Sequence, residues 1–291
     1  MIDLHCHTTA SDGSYTPIQL VELAKARGIA AIAVADHDTL DGLSEAIATG
    51  EANNLCVIPA IELSVNTTWG SLHLLGYFPQ PNPKNVAERI NHIQSFRERR
   101  NPIIAEKLHA LGIPINLEDV IGAAGGQVIG RPHFAKVMVE MGVVSCPQKA
   151  FDKYLKKGAP AYVDRDRLDL QEAIQLIKAD HGIPVLAHPG LIPIAADYDI
   201  EHIVKSFTDM NGGGVEAYSP AHTKSFTTLM VDLANRYHLL VTGGTDFHGE
   251  MKPKLQLGIG EGDFLVPDEL AKSLLESLGI EPNKRYSISW L

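Results

Sequence analysis

Cysteine is scarce in this chain, whose 291 residues contain only Cys6, Cys56 and Cys146. An odd number of widely spaced cysteines argues against a disulfide framework and is typical of a reducing compartment. The sequence also lacks any apolar run approaching the roughly 18 to 20 residues that a membrane-spanning helix requires, and it has no low-complexity segment. We therefore expect a cytoplasmic protein with no membrane partner.

Basic residues are fewer than acidic ones: the chain has 25 lysines and arginines and 35 aspartates and glutamates, which gives a net charge of -10. This balance argues against binding to long duplex DNA or to an anionic membrane, because both require clustered cations. A phosphorylated substrate is still compatible, since bound divalent ions carry positive charge that a residue count misses. The 13 histidines favour such ions. A hydrophobic content of 45% allows one large domain, or a barrel with an insertion.

Helical segments alternate with short apolar runs that are typical of buried parallel strands. Thr16-Pro17 is a favourable helix start, and the apolar face that follows ends at Gly28, just before the apolar run at residues 29–35. Helices near residues 40–52, 169–181 and 225–237 likewise precede apolar runs. This order predicts an α/β fold with a barrel-like sheet.

Residues 84–166 have a different pattern, with helical segments and few signals for buried strands. We predict that they form an inserted helical cap, and that residues 1–83 and 167–291 form the metal-binding barrel. A lid over a site at strand ends is a common way of covering catalysis.

Histidines and acids follow the apolar runs. His5 and His7 flank Cys6 in an extended segment, so the two imidazoles should share one face while Cys6 points away. The carboxyl ends of parallel barrel strands lie at one face, where groups distant in sequence can meet. The candidate metal ligands are His5, His7, Asp12, His37, Glu62, His73, His188, Asp246 and His248.

Each candidate alone has a simpler interpretation, because a lone buried histidine is usually a hydrogen-bonded core residue and Asp12-Gly13 resembles an ordinary turn. Together they predict a metal centre, since a core disfavours charge at so many strand ends. Imidazoles and carboxylates without paired thiolates suit catalytic Zn, Mn or Fe. The set exceeds the needs of one ion, so two ions, or three with Glu62 as a bridge, are expected. Such ions favour a phosphate ligand.

The order of these motifs resembles the PHP (polymerase and histidinol phosphatase) family over almost the whole chain: His-x-His, Ser-Asp-Gly, Asp-His-Asp, Glu62, His73, Ala-His-Pro and Asp-Phe-His. The resemblance implies a distorted (β/α)7 TIM-like barrel and three divalent ions, with Mn suggested by the family and Fe or Zn also compatible. One ion would be held by His5, His7, Glu62 and Asp246, a second by Glu62, His73 and His188, and the third by Asp12, His37 and His248.

The segment at residues 129–133 is similar to that of bacterial nucleotide-directed phosphoesterases, the group of 3',5'-nucleotide bisphosphate phosphatases and RNase AM. The resemblance implies a hydrolase that removes the 3'-phosphate of nucleoside 3',5'-bisphosphates, for example converting adenosine 3',5'-bisphosphate to AMP, and that degrades short RNA oligonucleotides as a 5'-to-3' exonuclease. Arg131 would clamp a phosphate, with His133 as a further donor. His222 would contact phosphate or protonate the leaving alkoxide, so Arg131, His222 and Asp246 are the catalytic candidates.

Simpler interpretations of these residues stay open: Arg131 as a surface residue before a helix, and His222 as a structural histidine. Two other functions also stay open. Histidinol-phosphate phosphatase shares the metal ligands but needs a site for a small amine, and a non-catalytic PHP module would bind a partner without turnover. The complete ligand set weighs against the second. The sequence indicates neither nucleobase preference nor oligomeric state.

Overall fold

The computed structural model describes residues 1–124, 129–163, 168–193, 198–262 and 264–280, without the side chains of residues 97 and 98. The chain divides into two compact units, Met1–Glu88 with Leu168–Leu291, and Arg89–Arg167. Each unit is described separately, and the capping role expected for residues 84–166 stays a prediction. Across the described residues, no helix has the length and apolarity needed to cross a membrane.

Helices alternate with strands along most of the chain, as the sequence predicts. The alternation is absent at two places: strand β4 directly follows strand β3, and the described residues of the second unit form helices only. In chain order they are β1 (Ile2–Cys6), α1 (Pro17–Ala26), β2 (Ala31–Val34), α2 (Leu43–Asn53), β3 (Cys56–Thr67), β4 (Gly70–Tyr77), α3 (Lys84–Ala110), α4 (Leu117–Ala124), α5 (Arg131–Glu140), α6 (Pro147–Ala150), β5 (Leu168–Asp169), α7 (Leu170–Ala179), β6 (Ile183–Leu186), α8 (Ile200–Asp209), β7 (Gly214–Tyr218), α9 (Lys224–Tyr237), β8 (Leu240–Gly243) and α10 (Glu269–Ser277). A π-helical turn at Phe151–Leu155 and 3-10 turns at Pro189–Leu191 and Gly249–Met251 complete the list.

In the described residues of the first unit, the strands form one sheet in the order β1-β2-β3-β4-β6-β7-β8, with β5 added to β3. Neighbouring strands are parallel except that β4 runs antiparallel to both β3 and β6. The predicted α/β class is therefore confirmed as a mostly parallel sheet with helices, whereas the (β/α)7 barrel remains a prediction.

Both faces of β2 are buried. In β2, Ala31 and Ala33 belong to an apolar cluster that includes residues of α10, whereas Ile32 and Val34 belong to a second cluster with residues of α1 and α2. A strand that is buried on both faces needs apolar side chains at every position. This requirement explains the uninterrupted apolar run that predicted the strand.

The second unit is built around its own apolar cluster, which includes Ile104 and Leu108 of α3, Phe134 and Met138 of α5, and Leu155. Helix α5 begins at Arg131 with Gly130 as its N-cap residue, and Pro132 lies in its first turn. Proline is well tolerated there, because the first turn of a helix has no intrahelical acceptor for its N–H groups. The predicted helix start at Arg131-Pro132 is confirmed.

Candidate metal centre

His5 and His7 lie together at the end of β1, as the alternation of an extended strand predicts. Both side chains are fully buried, and their ring centroids are 5.1 Å apart. The His7 N–H donates to the carbonyl of Phe247 at 2.9 Å, which joins the end of β1 to the segment that carries Asp246 and His248. Cys6 is also buried, but it packs in the apolar cluster with residues of α1 and α2. Its thiol thus belongs to the packing of the fold.

Glu62 is the centre of the cluster. Strand β3 continues past Glu62 to Thr67. The parallel partner β2 pairs only with Cys56–Pro59, so Glu62 lies beyond the end of β2 and opposite His37. The Glu62 carboxylate contacts five imidazoles: Oε2 lies 3.1 Å from His5 Nε2, 3.2 Å from His7 Nε2 and 3.2 Å from His37 Nδ1, and Oε1 lies 2.9 Å from His73 Nδ1 and 2.8 Å from His188 Nε2.

The direction of β4 explains why His73 joins this cluster from near the beginning of a strand. Because β4 is antiparallel to β3 and β6, its first residues lie beside the carboxyl ends of those strands. His73 pairs in register with Ser64, and its Nδ1 lies 3.4 Å from Nε2 of His188, which follows β6. His73, His188 and Oε1 of Glu62 therefore form one compact group.

Asp12 forms a second group with histidines from three other segments. Its Oδ1 lies 3.2 Å from His248 Nε2 and 3.8 Å from His7 Nδ1, and its Oδ2 lies 3.9 Å from His37 Nε2. Nδ1 of His248 lies 2.7 Å from the carbonyl of Asp246 and can donate to it, which leaves Nε2 as the nitrogen with a free lone pair. Asp246 Oδ1 lies 3.2 Å from His7 Nε2 and connects this group to Glu62.

The arrangement fits divalent metal ions. Three sets have one ligand atom from each residue within 4.8 Å of the others: His5, His7, Glu62 and Asp246; His7, Asp12, His37 and His248; and His37, Glu62 and His73. Among the described residues, both ring nitrogens of His7, together with Nδ1 of His37, are buried without a directed hydrogen bond. Buried polar atoms normally have a partner, and imidazole nitrogens aimed at carboxylates are the donors that Zn, Mn and Fe use. The nine predicted ligands are brought together, and their assignment to particular ions stays a prediction.

The pKa values of the cluster follow from burial and from the concentration of charge. Burial acts to lower the pKa of His7, but the carboxylates of Asp246 and Glu62 outweigh it and raise this pKa to about 9. Burial, which the nearby carboxylates do not offset, lowers the pKa of His37 to about 4. Burial alone would raise the pKa of Glu62, yet the surrounding imidazoles hold it well below its usual value. Glu62 is thus an anion, as a bridging metal ligand must be.

Glu216 is a functional candidate that the sequence predictions missed. It is fully buried in β7, where Oε1 accepts from Nδ1 of His5 at 2.9 Å and Oε2 accepts from the backbone N–H of His188 at 2.6 Å. A carboxylate on the outer nitrogen of a ligand histidine fixes its tautomer and leaves Nε2 for the metal. The available signal was a charged residue in the middle of a buried apolar strand.

Two further buried aspartates hold the loops of the site. Asp36 accepts from the N–H of Thr8 at 2.8 Å, the hydroxyl of Thr8 at 2.7 Å and the hydroxyl of Ser11 at 2.6 Å, which fixes the turn before Asp12. Asp3 in β1 accepts from the N–H and hydroxyl of Thr245 at 2.8 and 2.5 Å, which fixes the residue before Asp246. The positions of both candidate metal-ligating aspartates therefore depend on hydrogen bonds from other segments.

The backbone at two candidate ligands has an unusual conformation. His188 has φ of 25° and Asp246 has φ of 54°, in the left-handed region that non-glycine residues seldom adopt. Such strain persists only where the surroundings hold it, and it is concentrated at functional sites. The bond from His188 N–H to Glu216 holds the first of these residues in place.

His222 lies at the end of β7, but both of its ring nitrogens have backbone partners. Nδ1 lies 2.9 Å from the carbonyl of Ala217, and Nε2 accepts from the N–H of Gly190 at 3.0 Å. Burial lowers the pKa of its imidazole. In this conformation the neutral ring joins β7 to the turn that follows His188, and contacting a phosphate would require breaking the bond to Gly190.

Arg131 and His133 lie in the second unit at the start of α5. The Arg131 guanidinium donates from Nη1 to the carbonyl of Leu155 at 2.8 Å and lies over the ring of Tyr162, 5.1 Å from its centroid. Nδ1 of His133 accepts from the N–H of Gly130 at 3.0 Å. The phosphate-clamp role predicted for this pair stays a prediction. Guanidinium has five donors, so the bond to Leu155 does not exhaust them.

Comparisons with known proteins show which proteins this chain is similar to. Residues 3–124 match the family model described as PHP domain. The chain is 34% identical over 262 residues to the 5'-3' exoribonuclease Rnm of Escherichia coli, covering 88% of this chain and 87% of that protein. It is 32% identical over 250 residues to the 3',5'-nucleoside bisphosphate phosphatase of Chromobacterium violaceum, covering 85% and 87%. A solved metal-dependent phosphoesterase from Bifidobacterium adolescentis is similar with a TM-score of 0.69 and 29% identity, covering 95% of this chain and 96% of the other.

The mostly parallel sheet and the cluster of imidazoles and carboxylates, together with the similarity to these relatives, define a metal-dependent hydrolase of phosphoric esters. The chain belongs to the PHP family. The family resemblance expected from the order of the motifs is thereby confirmed.

Proposed function

We propose that this protein hydrolyses the 3'-phosphate of nucleoside 3',5'-bisphosphates, and that the same centre removes nucleotides from the 5' ends of short RNA oligonucleotides. The observation that carries the proposal is Glu62, a buried carboxylate that five imidazoles surround. The names of the relatives support the substrate class, since one is a 3',5'-nucleoside bisphosphate phosphatase and another a 5'-3' exoribonuclease.

We propose three Mn ions as the cofactor. His5, His7, Glu62 and Asp246 would hold one ion, Glu62, His73 and His188 a second, and Asp12, His37 and His248 the third. His7 also lies close to the third set. Its Nε2 contacts carboxylates of the first set and its Nδ1 lies 3.8 Å from Asp12 of the third. When bound, neighbouring divalent ions generate hydroxide near neutral pH and hold phosphoryl oxygens.

The protein's own groups would position the ligands and the substrate. Glu216 and the carbonyl of Asp246 direct the Nε2 atoms of His5 and His248 toward the cluster. In the proposed reaction, the 3'-phosphate lies against the cluster and water attacks its phosphorus. The bond to the 3' oxygen breaks, and the nucleoside 5'-monophosphate leaves with a proton on that oxygen. We propose that the second unit is the substrate-recognition cap and that Arg131 pairs there with the other phosphate, because guanidinium offers paired donors to phosphate oxygens.

Phosphate release with Mn tests the substrate assignment. Adenosine 3',5'-bisphosphate should be hydrolysed to AMP and phosphate much faster than histidinol phosphate. No release from the nucleotide, together with rapid release from histidinol phosphate, would overturn the assignment in favour of a histidinol phosphatase. Absence of turnover on every phosphoester, with tight binding to a protein partner, would instead support the non-catalytic module.

Arg131→Ala tests the clamp separately from the metals. Loss of a hydrogen bond to a charged group costs about 1.5–3 kcal/mol, so the KM for adenosine 3',5'-bisphosphate should rise about 10- to 150-fold while bound metal is unchanged. Lys149→Ala removes a positive charge from an exposed position of the same unit and serves as the control. Equal KM values for the two variants would refute the clamp.

A further inference from the structure

A cavity of about 450 Å³ adjoins the metal cluster, and all of its lining residues belong to the first unit. Asp246 is part of both features. Its Oδ1 atom lies 3.2 Å from His7 in the cluster, whereas its Oδ2 accepts from the ammonium group of Lys252 at 2.6 Å. Lys252 itself lines the cavity. The cavity and the candidate metal centre are therefore adjacent and share Asp246.

The walls of the cavity combine apolar side chains with charged groups of both signs. Leu191, Pro220 and Leu255 line it together with Lys252 and Lys254. Leu191 is 56% exposed, which is high for a large apolar side chain. The volume of the cavity lies within the range of about 300–1,000 Å³ of small-molecule sites, which are mostly apolar with a few polar groups. Such a lining suits a flat ring system that carries anionic groups.

We propose that this cavity receives the nucleoside part of the substrate, so that its apolar wall contacts the base and ribose. The inference rests on the proposed function and deepens it. A phosphate that reacts at the cluster is bonded directly to the sugar, so the nucleoside must occupy space that adjoins the ligands. The cavity that shares Asp246 with the cluster offers that space. The lining contains two lysines and two acids, Asp246 and Glu261, and Lys252 is already paired with Asp246. The apolar wall, rather than a net charge, therefore carries the assignment.

Ala221→Trp tests the assignment by filling the cavity from its exposed rim. The ratio of kcat/KM for adenosine 3',5'-bisphosphate to kcat/KM for glycerol 2-phosphate, which has no nucleoside, should fall at least about tenfold through a higher KM for the nucleotide. Ala52→Trp introduces the same ring at an exposed position of α2, outside the lining residues, and should keep the ratio. Calorimetric titration of AMP into the metal-free protein gives a readout without turnover, and its Kd should rise at least about tenfold in Ala221→Trp only.

Leu191→Asp provides a second variant, because a side chain this exposed can be replaced without disturbing the core. It removes apolar wall and adds a charge that repels an anionic nucleotide, so both the ratio and the AMP affinity should fall. The inference is overturned if the wild type prefers the nucleotide while both variants keep its ratio and AMP affinity within twofold. A wild type that shows no preference for the nucleotide would instead overturn the proposed function, and the AMP titrations would still decide whether the cavity binds a nucleotide.

Discussion

Replacing Glu216 with glutamine offers a sharp test of how the centre is held, because the substitution keeps the shape of the side chain. The carboxylate accepts from two donors, Nδ1–H of His5 and the backbone N–H of His188. Glutamine has one carbonyl oxygen and one NH2 group, so in either orientation of the amide one of these donors faces another donor. A hydrogen bond in the fully buried interior is therefore lost whichever way the amide turns.

The magnitude follows from the cost of a buried unsatisfied donor, about 1–3 kcal/mol. At about 1.4 kcal/mol for each factor of ten, this corresponds to a weakening of about 5- to 150-fold in the affinity for a metal that needs His5 or His188 in place. Mutations of outer partners of metal ligands commonly cost about 10- to 100-fold. We therefore expect Glu216→Gln to weaken metal binding by about one to two orders of magnitude.

Metal content after dialysis against graded chelator, measured by elemental analysis, would give the affinity, and phosphate release would be followed in parallel at saturating metal. Glu22→Gln makes the same chemical change at an exposed position of α1 and serves as the control. Activity of Glu216→Gln should recover in part when metal is added in excess. Metal affinity within twofold of the control would refute the conclusion that Glu216 positions the ligands.

Three other outcomes follow from the same cluster. Asp12→Ala or His248→Ala should lower metal occupancy and phosphate release together by more than about 100-fold, because losing a ligand costs more than losing an outer partner. If metal content and the rate of phosphate release are both close to those of the wild type, Asp12 and His248 are not metal ligands. Asp36→Asn places an amide NH2 among three donors that hold the turn before Asp12, so chelator should strip metal more readily; an unchanged chelator titration would contradict this role. Since the pKa of His7 rises from 6.5 to about 9 in the fold, its protonation stabilises the metal-free protein fully below pH 6.5 and this contribution disappears as the pH rises through 9. Metal must displace that proton, so calorimetry in buffers of different ionisation enthalpy should detect proton release on metal binding between pH 6.5 and 9. Absence of proton release would refute the raised pKa of His7.

The sequence predicted those parts of the site that depend on strand geometry. His5 and His7 were placed correctly because the alternation of an extended strand is local. The apolar run at residues 29–35 predicted a buried strand for the same reason, since burial on both faces requires an apolar side chain at every position. The order of the motifs then predicted the family, which the comparisons confirm.

The remaining features depend on pairing between distant segments. The length of β3 beyond Glu62 comes from its antiparallel partner β4, which no local pattern encodes. Glu216 was overlooked because its two partners, His5 and His188, are distant in the sequence. His222 was given a role in phosphate contact from its place at a strand end, yet its backbone partners Gly190 and Ala217 are visible only in the folded chain.

The hydrogen bond from His7 to Phe247 joins two segments that are synthesised at different times. It joins the first strand to a segment about 240 residues later, so the cluster contains some of the longest sequence separations in the fold. During synthesis, Glu62 and the histidines of the first segments leave the ribosome long before Asp246 and His248 exist. Because domains fold as units when their chain is available, the complete set of candidate ligands can form only after Asp246 and His248 have left the ribosome. Any metal ion that needs ligands from both segments can therefore bind only after the second of them has been synthesised.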